Sequence, residues 1–216
     1  MRFRIDLKIF LFLLLFYFTR QIEIYVIMIF FAVVHELGHL LMGLMLKMKP
    51  ERIELMPFGL SISFKVNVQD INKKRGNGNQ QVFKEILVAS AGPLTNLIIL
   101  IFTYVFFGNS NFSSLVIYAN LLILIFNLLP IYPLDGGRIL NGILHILFGR
   151  LEARSLSFDI SMVVTIVLTA VSSIGILYFH NIAIFLIVLY VWLIVLKENI
   201  IYSRIKKLYQ NMEKTK

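Results

Sequence analysis

The chain has 216 residues, 58% of them hydrophobic and only 15% charged, with a mean hydropathy of +0.82 and a formal net charge of +9. Soluble domains carry about a quarter charged residues and under half apolar ones, so this composition excludes a soluble globular protein and indicates a polytopic membrane protein. Cysteine is absent, which rules out disulfides, a thiol nucleophile and thiolate metal sites, leaving His, Asp and Glu as the available metal ligands.

Apolar runs of roughly 17–25 residues read as membrane spans. The first is Ile5–Thr19, whose uninterrupted core IFLFLLLFYFT is short. No small-residue cleavage site follows it, so it is expected as a retained span and not as a signal peptide. The second, Ile24–Leu46, contains VVHELGH. A charge at the bilayer centre costs about 2.5–3.5 kcal/mol on insertion scales, so ionisable residues there need a role or a partner. His35 and His39 are four apart, which on a helix stacks their imidazoles one turn apart on one face. Both could then reach one metal ion, with Glu36 beside the open position as a general base. Without a metal, the same residues would be a buried helical pair bonded to neighbouring spans.

After this span, Leu60, Ile62, Phe64, Val66 and Val68 alternate with polar residues, the period of a half-buried strand. Pro57-Phe58-Gly59 precedes it as a turn signal, and Arg52–Met56 is expected as the partner strand. NKKRGNGNQQ (72–81) reads as a loop. The third span is Val82–Phe107, the fourth Leu115–Leu129, the fifth Ile160–Phe179 and the sixth Ile182–Leu196. Residues 130–159 fall between spans, and FNLLPIYPLDGGRIL runs from the end of the fourth span into them. There Pro130, Pro133, Gly136 and Gly137 interrupt any helix, and broken backbone at membrane depth lines enclosed or watery cavities. A catalytic zinc takes three protein ligands plus a water, so two histidines are one short. Asp135 is the best-placed third ligand, since His145, His180, Glu23, Asp159 and Glu198 lie near span ends. Its bland alternative is an Asp-Gly-Gly turn at the membrane surface.

Six spans place both termini on one side, together with the loops at 47–81 and 130–159. That side then carries 20 of the 21 basic residues, only Arg20 lying opposite, and the positive-inside rule makes it cytoplasmic. The basic balance therefore reports topology and attraction to the lipid bilayer, and no nucleic-acid partner is expected. The expected fold class is an all-α polytopic membrane protein of about six transmembrane helices, with a small β-hairpin between helices 2 and 3.

HELGH on an early span, followed later by NLLPIYPLDGG, resembles the site-2 protease family of intramembrane zinc metalloproteases. ASAGPLTN (Ala89–Asn96) is similar to that family's small-residue segment, and LMPFG and NLLPIYPLDGG most resemble its stage IV sporulation protein FB branch. The resemblance covers roughly residues 1–200, taken as one intramembrane metalloprotease domain, with 201–216 as a short cytoplasmic tail. It implies a Zn2+ cofactor held by His35, His39 and Asp135, with Glu36 as catalytic base. It implies too that Asn127 and the turn containing Pro130 and Pro133 shape the substrate cleft. The expected partners are a membrane-tethered protein substrate, which in the sporulation branch is a sigma-factor precursor, and regulatory membrane proteins. The strand edge at Leu60, Ile62 and Phe64 could receive an unwound substrate segment. Members of that branch commonly carry a CBS domain after the last span, whereas here only residues 197–216 follow, and 47–81 is too short for the PDZ insertion of other members. The rival expectations are a metal or ion transporter, which would spread polar residues along several spans, and a non-catalytic scaffold keeping the same fold.

Overall fold

The computed structural model describes residues 2–5, 10, 14, 17–18, 22–56, 59–64, 77–108, 110–179 and 182–214. Most of the first expected span, the strand residues beyond Phe64, and His180 lie outside these. The described elements, in chain order, are β1 (Arg2–Ile5), α1 (Ile22–Met45), β2 (Pro50–Met56), β3 (Gly59–Phe64), α2 (Asn77–Phe107), α3 (Asn111–Leu128), α4 (Asp135–Phe148), α5 (Arg150–Phe179) and α6 (Ile182–Lys214). Among the described residues, Ile22–Met45, Asn79–Phe107, Asn111–Leu128 and Arg150–Tyr178 are long and apolar enough to cross a membrane. Phe102, Phe106, Ile166 and Ile174 lie exposed along these helices, as expected of faces solvated by lipid. The chain is a membrane protein.

The chain divides into two compact units, Met1–Leu128 and Leu129–Lys216. In the first unit, α1, α2 and α3 pack on one another, and β3 lies along α1. The hairpin of β2 and β3 is antiparallel, with Ile53 opposite Ile62 and Leu55 opposite Leu60. It sits between α1 and α2 as the alternation predicts, but it is not alone. β1 adds to it in parallel, Phe3 opposite Ile53, making a three-stranded sheet in the order β1-β2-β3. RFRI is too short to show a period, and its partner is distant in sequence, so no local pattern announces it.

Small residues set how closely these helices approach. A Cβ on Gly38 of α1 would lie 2.2 Å from Thr95 Oγ1 and 3.0 Å from the Ala91 carbonyl of α2. Close backbone approach through small residues is how helices pack where lipid offers no hydrophobic drive. Gly43 makes equivalent room for the Phe64 ring of β3, whose nearest atom would be 2.2 Å from a Cβ there. α1 ends in a Schellman closure. Met48 N–H donates to the Gly43 carbonyl and Lys47 N–H to the Leu44 carbonyl, both at 2.9 Å, with Lys47 in the left-handed region at φ 58°. α3 is capped by Ser110, whose Oγ accepts the Ser113 N–H at 3.1 Å.

In the second unit, α4 packs on α5 and α5 on α6. The segment expected as an interruption between spans is only partly one. Residues 129–134 form a tight turn, closed by Leu134 N–H donating to the Ile131 carbonyl at 2.8 Å, with a cis Tyr132–Pro133 bond. α4 then begins at Asp135, and α5 at Arg150, so most of 130–159 is helical. Gly137, read as part of a breaker, instead permits contact: a Cβ there would lie 2.4–2.5 Å from the Ile131 and Tyr132 backbone. Asp135 sits in the first turn of α4, where a carboxylate is favoured by the helix dipole, and lies 3.5 Å from Arg138 Nη1. The turn is held from α5, since Ser161 Oγ accepts the Tyr132 N–H at 2.9 Å. Arg154 stacks over the Tyr132 ring at 4.9 Å and pairs with Glu198 of α6 at 3.2 Å. The sixth expected span is the first part of α6, which continues unbroken into the tail.

Candidate metal centre

His35 and His39 lie on one face of α1, as their spacing dictates, and both are buried, each 3% exposed. Their rings meet edge to face, and the two Nε2 atoms are 3.1 Å apart. The outer nitrogens explain why they converge. His39 Nδ1 lies 2.6 Å from the Val88 carbonyl of α2. A carbonyl can only accept, so Nδ1 carries the proton and Nε2 keeps its lone pair. The Gly92 N–H lies 3.2 Å from the same Nδ1, but that nitrogen cannot both donate to Val88 and accept from Gly92. The shorter contact to a pure acceptor decides it.

His35 Nδ1 faces Asn96 Oδ1 of α2. The Asn96 amide is itself oriented, because its Nδ2 donates to Asn120 Oδ1 of α3 at 2.8 Å. Nδ1–H of His35 is therefore the donor, and its Nε2 also keeps a lone pair. With both protons on Nδ1, the two Nε2 atoms turn acceptor lone pairs toward one another, an arrangement that a shared cation stabilises. Two Zn–N bonds of about 2.0–2.1 Å at a tetrahedral angle would set the nitrogens roughly 3.3 Å apart, within a few tenths of the observed separation.

The wall facing these nitrogens is kept clear by an absent side chain. A Cβ on Gly92 would fall 2.4 Å from His39 Nε2 and 2.5 Å from His35 Nε2. Only glycine leaves that space beside both Nε2 atoms. The donor set, its fixed tautomers and this cradle fit a zinc ion. Glu36, the next residue along α1, is half-buried. Asp135 is buried at 5% exposure at the start of α4 in the second unit.

The other residues expected at the site divide in how they are used. Asn127, near the end of α3, donates its amide to the Ile123 carbonyl of its own helix at 3.0 Å. Pro130 and Pro133 lie within the turn before Asp135. Leu60 and Ile62 stand opposite Leu55 and Ile53 of β2, and the Phe64 ring is taken up by packing on Gly43. Val88 and Asn120 are not singled out from sequence, and Gly92 and Asn96 only as part of ASAGPLTN, with no role of their own. Asn96 and Asn120 are fully buried in otherwise apolar spans. A strongly polar side chain at membrane depth is the signal that could have found them.

The profile of peptidase family M50 matches residues 23–112 and 107–172. A zinc metalloprotease of Methanocaldococcus jannaschii is 33% identical over 144 residues, covering 63% of this chain and 39% of the relative. Stage IV sporulation protein FB of Bacillus subtilis is 30% identical over 126 residues, covering 56% and 40%. The chain thus spans about two fifths of the length of these curated relatives. The solved structure of a site-2 protease from Methanocaldococcus jannaschii superposes with a TM-score of 0.64 at 24% identity, covering 90% of this chain and 88% of that one. That likeness concerns the fold.

Proposed function

The chain belongs to peptidase family M50, and from that membership we propose that it is an intramembrane zinc endopeptidase cleaving a membrane-tethered protein. The observation that carries the proposal is the opposed pair of buried Nε2 atoms at 3.1 Å, over a glycine that leaves room beside them. In this scheme His35 and His39 hold the ion through Nε2, and Asp135 is the third protein ligand. Bound there, zinc would supply a Lewis acid that polarises a peptide carbonyl and makes a water more acidic.

The remaining chemistry falls to the chain. Glu36 accepts a proton from the attacking water and returns it to the departing amine, the two transfers that peptide hydrolysis needs. His35 and His39 need no rearrangement for this, because Asn96 and Val88 already hold their rings. A substrate helix must unwind before its backbone can enter, since its carbonyls are otherwise engaged in hydrogen bonds. We assign the unwound segment to the edge of β3, at Leu60, Ile62 and Phe64. It would bind there through the backbone, since the Phe64 ring is already used in packing. Asn127 and the Pro130–Pro133 turn would border the cleft. Proline at Leu60 and Ile62 should then slow cleavage of a tethered substrate by about tenfold or more, as loss of main-chain pairing would. Unchanged cleavage would remove the edge from the scheme.

Both termini are assigned to the cytoplasmic side, on the distribution of basic residues. By its likeness to stage IV sporulation protein FB, the substrate to test first is a membrane-tethered sporulation sigma-factor precursor. The purified chain, reconstituted in bilayers with tethered substrates, should cleave in a way that a chelator stops and added zinc restores. Processing that continues in chelator would overturn the zinc scheme.

A further inference from the structure

The orientation of His35 is decided two helices away, and the order of hydrogen bonds shows how. Asn120 Nδ2 donates to the Val116 carbonyl of its own helix at 2.9 Å. A carbonyl cannot donate, so this contact fixes which end of the Asn120 amide is nitrogen. Oδ1 must then face α2, where it accepts from Asn96 Nδ2 at 2.8 Å. That fixes the Asn96 amide in turn, so its Oδ1 faces His35. An oxygen there can only accept, so the His35 proton stands on Nδ1 and the lone pair on Nε2. Both asparagines are 0% exposed, so water does not compete for any of these groups.

We infer that Asn120 is a positioning residue for the metal centre: through Asn96 it selects the tautomer in which His35 can ligate. His39 takes its orientation in one step from a backbone carbonyl, whereas His35 takes it in three steps from another. The difference matters because an amide, unlike a carbonyl, can turn around. With Asn120 unable to accept, Asn96 can rotate by half a turn and present Nδ2 to His35. Nδ1 then becomes the acceptor, the proton moves to Nε2, and the ligating lone pair is lost. Asn120 thus acts on zinc affinity without contacting the zinc site, and the inference rests on the zinc scheme proposed above.

The test is a zinc affinity series, read by competition with a chromogenic chelator on the purified full chain. Asn120→Leu should weaken zinc binding by about 10–100-fold, the usual cost of removing a group that orients a metal-bound histidine. Asn96→Asp in the Asn120→Leu background should then bring affinity back to within about threefold, because both carboxylate oxygens accept from Nδ1 and no rotation can misplace them. A packing role for the two asparagines predicts the opposite, since a buried charge would worsen an already damaged interior. Unchanged affinity in Asn120→Leu overturns the inference, and so does a loss that Asn96→Asp does not repair. If Asn120→Leu does not fold, nitrogen-15 spectra of the zinc-free, histidine-labelled chain decide the matter without any variant at Asn120. Neutral His35, assigned against His35→Gln, should carry its proton on Nδ1; a proton on Nε2 overturns the relay. Failure of the unmodified chain to bind zinc would instead overturn the zinc scheme, while the tautomer measurement still judges the relay.

Discussion

Glu36→Gln is expected to abolish proteolysis while one zinc stays bound per chain. The substitution keeps the side chain's length and shape but removes its capacity to take up a proton. General acid–base catalysis by a positioned group contributes about 10²–10⁴-fold, and here one group serves both transfers, so the loss should lie at or beyond about 10³-fold. The reading is specific because the proposed ligands, His35, His39 and Asp135, are untouched. Turnover of a tethered substrate in proteoliposomes, with metal content measured on the same preparation, separates the possible roles. Cleavage retained near the unmodified rate would end the assignment of Glu36 as base. Loss of zinc together with activity would make Glu36 part of what holds the ion.

Gly92→Ala tests the position of the metal, and its expected effect is as large. The added methyl would stand 2.4 Å and 2.5 Å from the two Nε2 atoms, far inside contact distance. Ordinarily a side chain could retreat, but here each ring is tethered at its far nitrogen, His39 to Val88 and His35 to Asn96. Yielding would break one of those hydrogen bonds or push α1 from α2, where Gly38 is already packed against Thr95. Zinc affinity should therefore fall by at least about 100-fold, comparable to the upper range for losing a group that orients a ligand. Thermal unfolding of the zinc-free chain accompanies the measurement, to separate a blocked site from a loosened helix pair. If Gly92→Ala binds zinc as tightly as the unmodified chain, the ion does not sit between the two Nε2 atoms.

Much of this site is legible in the amino-acid sequence, and the reason is locality. His35 and His39 share a face because four residues make about one helical turn, a relation contained within five residues of sequence. The spans are similarly legible, since an apolar run of the right length has few other uses. The hairpin shows itself through strict alternation after Pro57-Phe58-Gly59. Where sequence and structure differ, the causes are equally physical. Residues 130–159 read as a separator of spans, because Pro130, Pro133 and the two glycines are helix-interrupting residues by local propensity. Gly137 instead admits the backbone of Ile131 and Tyr132, and a helix of 14 residues starts at Asp135. β1 has no sequence signal, because four residues show no period and a parallel partner is never adjacent.

Sequence alone determined the membrane class, the spacing that puts His35 and His39 on one face of α1, and the family to which the chain belongs. It could not determine which nitrogen either imidazole offers, because a ring's tautomer is chosen by whatever faces its other nitrogen. For His39 that is a carbonyl 49 positions away, and for His35 an amide 61 positions away. Nor could it distinguish Gly92, whose missing side chain leaves room beside the two Nε2 atoms, from Gly38, whose missing side chain lets two helices touch. Both are glycines in apolar helices, and only the atoms brought opposite them by the packing of α1 on α2 give each its purpose.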